Sequence, residues 1–211
     1  MAEARGKFIT LEGGEGAGKS TQGRLLQTRL EAHGRTAILT REPGGSPGAE
    51  EIRRLLVHGE PERWTPLAET LLFLAARADH VARLIEPALA SGTWVVSDRF
   101  ADSTFVYQGI VRGLGVDFVR SLQRAALGDF APDLTIVLDI DPHDGLGRAG
   151  IRGHPENRFE KFDADFHARL REGFLSIAAR EPERCAVIDA RGSIETIAAN
   201  VWRAVSERLD P

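Results

Sequence analysis

Residues 7–21 read KFITLEGGEGAGKST, a β-prone run that breaks into glycines and closes on a lysine and two hydroxyl residues. Gly13, Gly18, Lys19 and Ser20 match G-x-x-x-x-G-K-[ST], after a predicted strand (7–12) and before a predicted helix (20–34), the context this loop requires. Its glycines let backbone N–H groups converge on a phosphate, and the helix N-terminus adds its dipole. The whole turn, Gly13, Gly14, Glu15, Gly16, Ala17, Gly18, Lys19, Ser20 and Thr21, is therefore read as a nucleoside triphosphate site. Lys19 is expected to bridge the β- and γ-phosphates and the Ser20 hydroxyl to reach Mg²⁺. Glu15 is the odd member, because an acid aimed at the donor phosphates would be repelled.

Working outward, TAILT (36–40) reads as a second strand, REPGGSPG (41–48) as a loop and 49–58 as a short helix. A long helix is predicted over 65–92, with Pro66 in its first turn and Pro87 kinking it or ending it early. TWVVSD (93–98) and LTIVLDID (134–141) are apolar runs suited to strands covered on both faces, with mostly helix over 102–127. Segment 141–161 reads as a helix start followed by a mobile loop, then come a helix over 162–180, a strand over 185–189 and a helix over 193–209. Alternating β and α elements predict one α/β domain over 1–211, a doubly wound five-stranded parallel sheet flanked by helices in the three-layer P-loop NTPase manner. Its ligands belong at the carboxyl ends of the strands.

Composition narrows the function. A net charge of -4 gives no long-range pull toward nucleic acid or an anionic membrane, so neither is expected as a partner. The single cysteine, Cys185, excludes a disulfide framework and a Cys-based zinc site and is expected to be a small core residue. The first residues lack the apolar core of a secretory signal, which leads us to expect a cytoplasmic location. Lysine occurs only at 7, 19 and 161, so the guanine-reading N-K-x-D of a GTPase has no counterpart. A transporter-type ATPase would carry a glutamate after its second acidic strand, where this chain reads Asp-Ile-Asp (139–141). What the chain offers instead is arginine: Arg41 and Arg99 after the second and third strands, Arg77 in the long helix, and Arg148, Arg152 and Arg158 in the mobile segment. A small phosphorylated acceptor needs such charges.

Over nearly its whole length the chain resembles the bacterial thymidylate kinases (dTMP kinases). The resemblance is carried by LEGGEGAGKST, TREPGGSPGAE, LLFLAARADHV, IEPALASGTWVVSDRFADSTFVYQG, LGDFAPDLTIVLDIDP and NRFEKFD. It implies transfer of the ATP γ-phosphoryl group to dTMP with Mg²⁺, by a homodimer packed through helices, with the 65–92 helix as one surface. Lys19 would hold the donor and Arg99 the acceptor phosphate, with Arg41 close by. Asp98 would hold Mg²⁺ with Ser20; capping the next helix is its alternative role. Phe73 and Arg77, four apart on one helical face, would stack on thymine and bond its carbonyl edge, although Phe73 alone reads first as a core residue and only the resemblance reverses that. Ser103, Thr104, Tyr107 and Gln108 would line the base and deoxyribose pocket, Tyr107 standing where a 2′-hydroxyl would sit.

Residues 146–159 correspond to the family's lid, with Arg148 against adenine and Arg152 or Arg158 supplying the transition-state charge. Gly150 and the HPEN ahead of Arg158 depart from the denser arginine run of many relatives and leave open which of the two acts. In the family an acid at position 15 addresses the acceptor's 3′-hydroxyl or a neighbouring arginine; a solvent-facing charge is the alternative. Some relatives place an arginine at position 16, where this chain has Gly16, so that charge is expected to come from the lid. A deoxynucleoside kinase is the competing enzyme; it would need a general base for a neutral hydroxyl.

Overall fold

The computed structural model describes residues 5–152 and 158–211, and of 149–152 the backbone alone. Five parallel strands form one sheet in the order β2-β3-β1-β4-β5: β1 (Phe8–Glu12), β2 (Ala37–Arg41), β3 (Trp94–Asp98), β4 (Leu134–Asp139) and β5 (Cys185–Asp189). β1 is central, and its register sets Leu11 beside Asp98, while Arg41 of β2 pairs with the same Asp98. The polar residues that end these strands therefore emerge together at one edge.

Successive strand residues face opposite sides, and both sides are covered. Ile9, Leu11, Val96 and Leu138 pack under α1 (Lys19–Ala32) and α9 (Ile194–Leu209). Phe8, Val95 and Val137 pack with Phe100, Phe105, Leu170 and Phe174 on the other side, which α8 (Ala164–Arg180) helps to cover. Cys185 is buried in this second core, as expected. α2 (Pro47–Leu56) packs on α3 (Pro66–His80).

The long helix does not end at Pro87. It runs from α3 through a π-helical turn, Val81–Ile85, into α4 (Glu86–Ala90), and the Glu86 N–H reaches back five residues to the Val81 carbonyl. The wider turn accommodates a proline that lacks the N–H of a regular ladder. The helical stretch expected over 102–127 is divided: α5 (Ala101–Thr104) continues as a π-helical segment, Phe105–Val111, and α6 (Val116–Leu127) follows a break. The helix start after β4 extends as α7 (Pro142–Arg152), and Arg158–Lys161 form one 3₁₀ turn. The expected lid segment thus falls partly outside the described residues.

Candidate active site

The glycine loop joins β1 to α1, and Lys19 is the first residue of that helix, whose first turn carries no acid. Two glycines are demanded by close packing. A Cβ on Gly13 would lie 2.4 Å from the Leu138 carbonyl oxygen, and one on Gly16 (φ 69°) would lie 1.8 Å from the Gly145 oxygen of α7. No arginine fits at 16 in this backbone, which gives the glycine there a steric reason. Lys19 Nζ donates to the Gly13 and Gly14 oxygens at 3.1 and 2.7 Å, folding its charge over the loop. Burial, reinforced by Arg99, brings its pKa down to about 8 against the pull of Glu15, Asp98 and Glu12.

Ser20 Oγ donates to Asp98 Oδ2 at 2.5 Å. The N-cap of α5 is Phe100, so capping is not the role of Asp98. Two hard oxygen donors beside a phosphate loop suit Mg²⁺, which keeps several waters and takes one or two protein oxygens plus phosphates. Among the described residues there is no group of three or more His, Cys, Asp or Glu that could hold a metal ion.

Glu15 turns away from the donor side of the loop. Its Oε1 accepts from Arg99 Nη2 at 2.8 Å and from the Tyr107 hydroxyl at 2.9 Å. Burial works to raise its pKa, but Arg99, then Lys19 and the Tyr107 bond, outweigh burial and hold it at about 2. It is no solvent-facing charge. Arg99 has φ 72°, a left-handed conformation that costs a non-glycine residue about 1–2 kcal/mol. It is held there from both sides: its N–H donates to the Leu11 oxygen at 2.9 Å, and its Nη1 reaches the Gly13 oxygen and Ser103 Oγ, each at 3.0 Å.

Glu12 is a member of this centre that sequence reasoning missed. Fully buried, it accepts from the backbone N–H of Phe100 (2.8 Å) and Ser103 (3.3 Å) and from Ser103 Oγ (2.6 Å), capping α5 from another strand. Burial, then the neighbouring Asp102, push its carboxyl up to about 7. An acid closing an otherwise apolar strand ahead of the glycines was the available signal.

Phe73 and Arg77 of α3, with Ser103, Thr104, Tyr107 and Gln108 of the α5 segment, line one cavity, with Glu15 and Arg99 also in its wall. Phe73 is half-buried in the wall rather than in the core. Phe159, which the sequence reading did not single out, closes the cavity, its ring 5.5 Å from that of Tyr107 and perpendicular to it. Arg77 is buried and largely committed: Nε to Glu42 Oε2 at 2.7 Å, Nη1 to Gln123 Oε1 at 3.0 Å, Nη2 to the Phe100 oxygen and Thr104 Oγ1. One N–H of Nη1 is left over.

Beside this cavity lies a wider cleft lined by Gly16, Gly18, Lys19, Ser20, Asp98 and Arg41. Arg41 stands at its exposed rim, 3.2 Å from Glu50. Arg53, overlooked because helix-face arginines are common, belongs to both spaces, as do Glu15 and Arg99. Arg148 Nη1 donates to the Ala190 oxygen just past β5, on the far side of the loop. Arg152 ends α7, and its side chain lies outside the described residues.

The expectation for Arg158 needs correction. It is fully buried, with Nη1 2.5 Å from Glu69 Oε2 and its other donors on the Glu60, Leu56 and Pro61 oxygens. An arginine so saturated holds α2, α3 and the 3₁₀ turn together and is not turned toward the phosphate loop.

Comparison with known proteins agrees with this geometry. A thymidylate kinase family profile matches residues 11–201. The chain is 55% identical over 208 residues to a thymidylate kinase of Rhodopseudomonas palustris (strain TIE-1), covering 97% of this chain and 90% of that one. It is 51% identical over 208 residues to a thymidylate kinase of Nitrobacter hamburgensis, with the same coverage. The crystal structure of thymidylate kinase from Ehrlichia chaffeensis superposes with a TM-score of 0.78 at 32% identity, over 95% of this chain and 99% of that one. With the phosphate loop, the arginine-lined seam and the aromatic cavity in the places described, the chain belongs to the thymidylate kinase family.

Proposed function

We infer that this kinase transfers the γ-phosphoryl group of ATP to the 5′-phosphate of dTMP, giving dTDP and ADP on the route to dTTP. One observation carries the assignment of sites: the aromatic cavity and the phosphate-loop cleft share Glu15, Arg53 and Arg99 in their walls. A nucleoside monophosphate with its base in the cavity carries its phosphate to that seam.

The donor phosphates lie along residues 13–21, and Lys19 leaves the Gly13 and Gly14 oxygens for them. Arg99, Arg53 and Arg41 meet the acceptor phosphate. Two anions must approach each other, so positioning and fixed positive charge carry the catalysis. Phe73 and Arg77 take the base, while Tyr107, held against Glu15, fills the space of a 2′-hydroxyl. Glu15 offers its carboxylate to the sugar edge and keeps Arg99 aimed at the phosphate. Ser20 and Asp98 would hold Mg²⁺, which when bound neutralises the β- and γ-phosphates. Arg148 lies against adenine, and Arg152 carries the lid charge. The chain acts as one domain.

The competing deoxynucleoside kinase reading needs a base that faces the acceptor's sugar, and Glu12, the carboxyl raised to about 7, is fully buried on the Phe100 and Ser103 N–H groups and does not line the cavity. Glu15, the acid nearest the acceptor's sugar, is held at about 2 and is a weak base near neutral pH.

A homodimer and a cytoplasmic location complete the proposal. The dimer is supported by Leu67 and Leu71, exposed one turn apart on α3, and by the exposed Phe118 of α6, which packs beside it. No helix among the described residues is long and apolar enough to cross a membrane. A coupled ADP-release assay with ATP and a panel of nucleosides and nucleoside monophosphates tests the function. The reading fails if dTMP is not the best acceptor by a wide margin.

A further inference from the structure

Glu69 of α3 is wholly buried behind the base cavity. Its Oε1 accepts from Gln108 Nε2 at 2.8 Å and from Arg112 Nη1 at 3.0 Å. Its Oε2 lies 2.5 Å from Arg158 Nη1, an ion pair without the alignment of a hydrogen bond. Every group facing its two oxygens is a donor, so the side chain serves here as an acceptor.

The consequence falls on Gln108. The two ends of an amide have nearly the same shape, and what distinguishes them is the partner each meets. Facing an acceptor, Gln108 must turn its NH₂ group to Glu69. Its carbonyl Oε1 has no protein donor among the described residues, and Gln108 forms part of the cavity wall. That wall is therefore a hydrogen-bond acceptor.

We propose that Glu69 is a specificity-determining positioning residue: by fixing the orientation of the Gln108 amide, it makes the cavity accept pyrimidines that carry an N3–H and reject cytosine. Thymine and uracil donate from N3, whereas cytosine has a lone pair there, which would face the Gln108 oxygen. A site built to bond a ligand N–H discriminates strongly against an analogue without it, because its own buried acceptor is then left unpaired. An amide at 69 enforces this less, since it has one oxygen to offer to Arg112 and Arg158, and when that oxygen goes to Arg158 its NH₂ faces Gln108, which then turns over. The buried charge is thus explained by selectivity, at the cost of committing Arg112 and Arg158 to balance it.

The proposal rests on the cavity being the dTMP base pocket, and the experiment separates the two. kcat/KM is measured for dTMP, dUMP and dCMP in the wild type, Glu69→Gln, Gln108→Met, the double variant and Phe73→Ala. Ratios between acceptors are independent of the folded fraction, so a general loss of stability does not move them. The expected result is a dTMP to dCMP ratio lowered about tenfold or more in Glu69→Gln, with the dTMP to dUMP ratio unchanged. Glu69→Gln should add nothing further in the Gln108→Met background. A dTMP to dCMP ratio within about twofold of wild type in Glu69→Gln overturns the proposal. If that variant does not fold, a wild-type ratio in Gln108→Met overturns it equally, since the amide would then not be the reader. A dTMP KM unmoved by Phe73→Ala overturns the pocket reading instead.

Discussion

Replacing Glu15 by glutamine removes one negative charge from the seam while keeping the side chain's shape. The carboxyl is held at about 2 against an ordinary value of 4.5, and its side chain is only 20% exposed, so screening is limited. At about 1.4 kcal/mol per pKa unit this corresponds to about 3 kcal/mol of stabilisation at neutral pH. A folded-state pKa below the unfolded one gives stability that is present above about 4.5 and lost as pH falls through about 2. Glutamine still accepts from Arg99 and Tyr107, so we expect a loss of about 2 kcal/mol at pH 7, narrowing by about 1 kcal/mol at pH 4. Urea unfolding at the two pH values measures both. In steady-state kinetics the dTMP KM should rise about tenfold as the ion pair that aims Arg99 becomes a neutral hydrogen bond, while the ATP KM shifts less than about twofold. A variant with wild-type stability and wild-type dTMP KM would refute the reasoning and return Glu15 to the status of a solvated loop charge.

The other expectations concern the loop, Arg158 and Arg152. Gly16→Ala puts a Cβ 1.8 Å from a backbone oxygen of α7 at φ 69°, and should weaken nucleotide binding at least about tenfold in a fluorescent ADP titration; wild-type affinity would count against the packing described. Arg158→Ala strips a partner from the buried Glu69 and should cost about 3–5 kcal/mol in unfolding free energy. Arg152→Ala should leave stability alone and lower kcat far more than it raises KM. Equal and small effects from both arginine variants would remove the division of roles.

The phosphate loop was legible because its signal is local: glycines, one lysine and a hydroxyl in consecutive positions between a strand and a helix. The strands were legible because both faces of the sheet are covered and each reads as an apolar run. Glu12, Arg53 and Glu69 were not, since nothing near them in the chain distinguishes them from solvated charges. Their roles arise only when β1 meets β3 and α3 meets the α5 segment. Arg158 misled for the same reason, as an arginine in a polar, glycine-rich stretch reads as exposed although the fold drives it to full burial. Pro87 marked a disturbance in the long helix, but not its form, because the π turn that accommodates it has no compositional mark.

The network around Glu15 also bears on how the protein is made. The loop acids emerge early in synthesis, yet Arg99 and Tyr107, the partners of Glu15, stand 84 and 92 residues downstream. Phe100 and Ser103, the partners of Glu12, stand 88 and 91 residues downstream. Until the third strand and the segment after it are in place, Glu12 and Glu15 lack the partners that hold them, so a fragment ending before residue 99 cannot build this side of the loop.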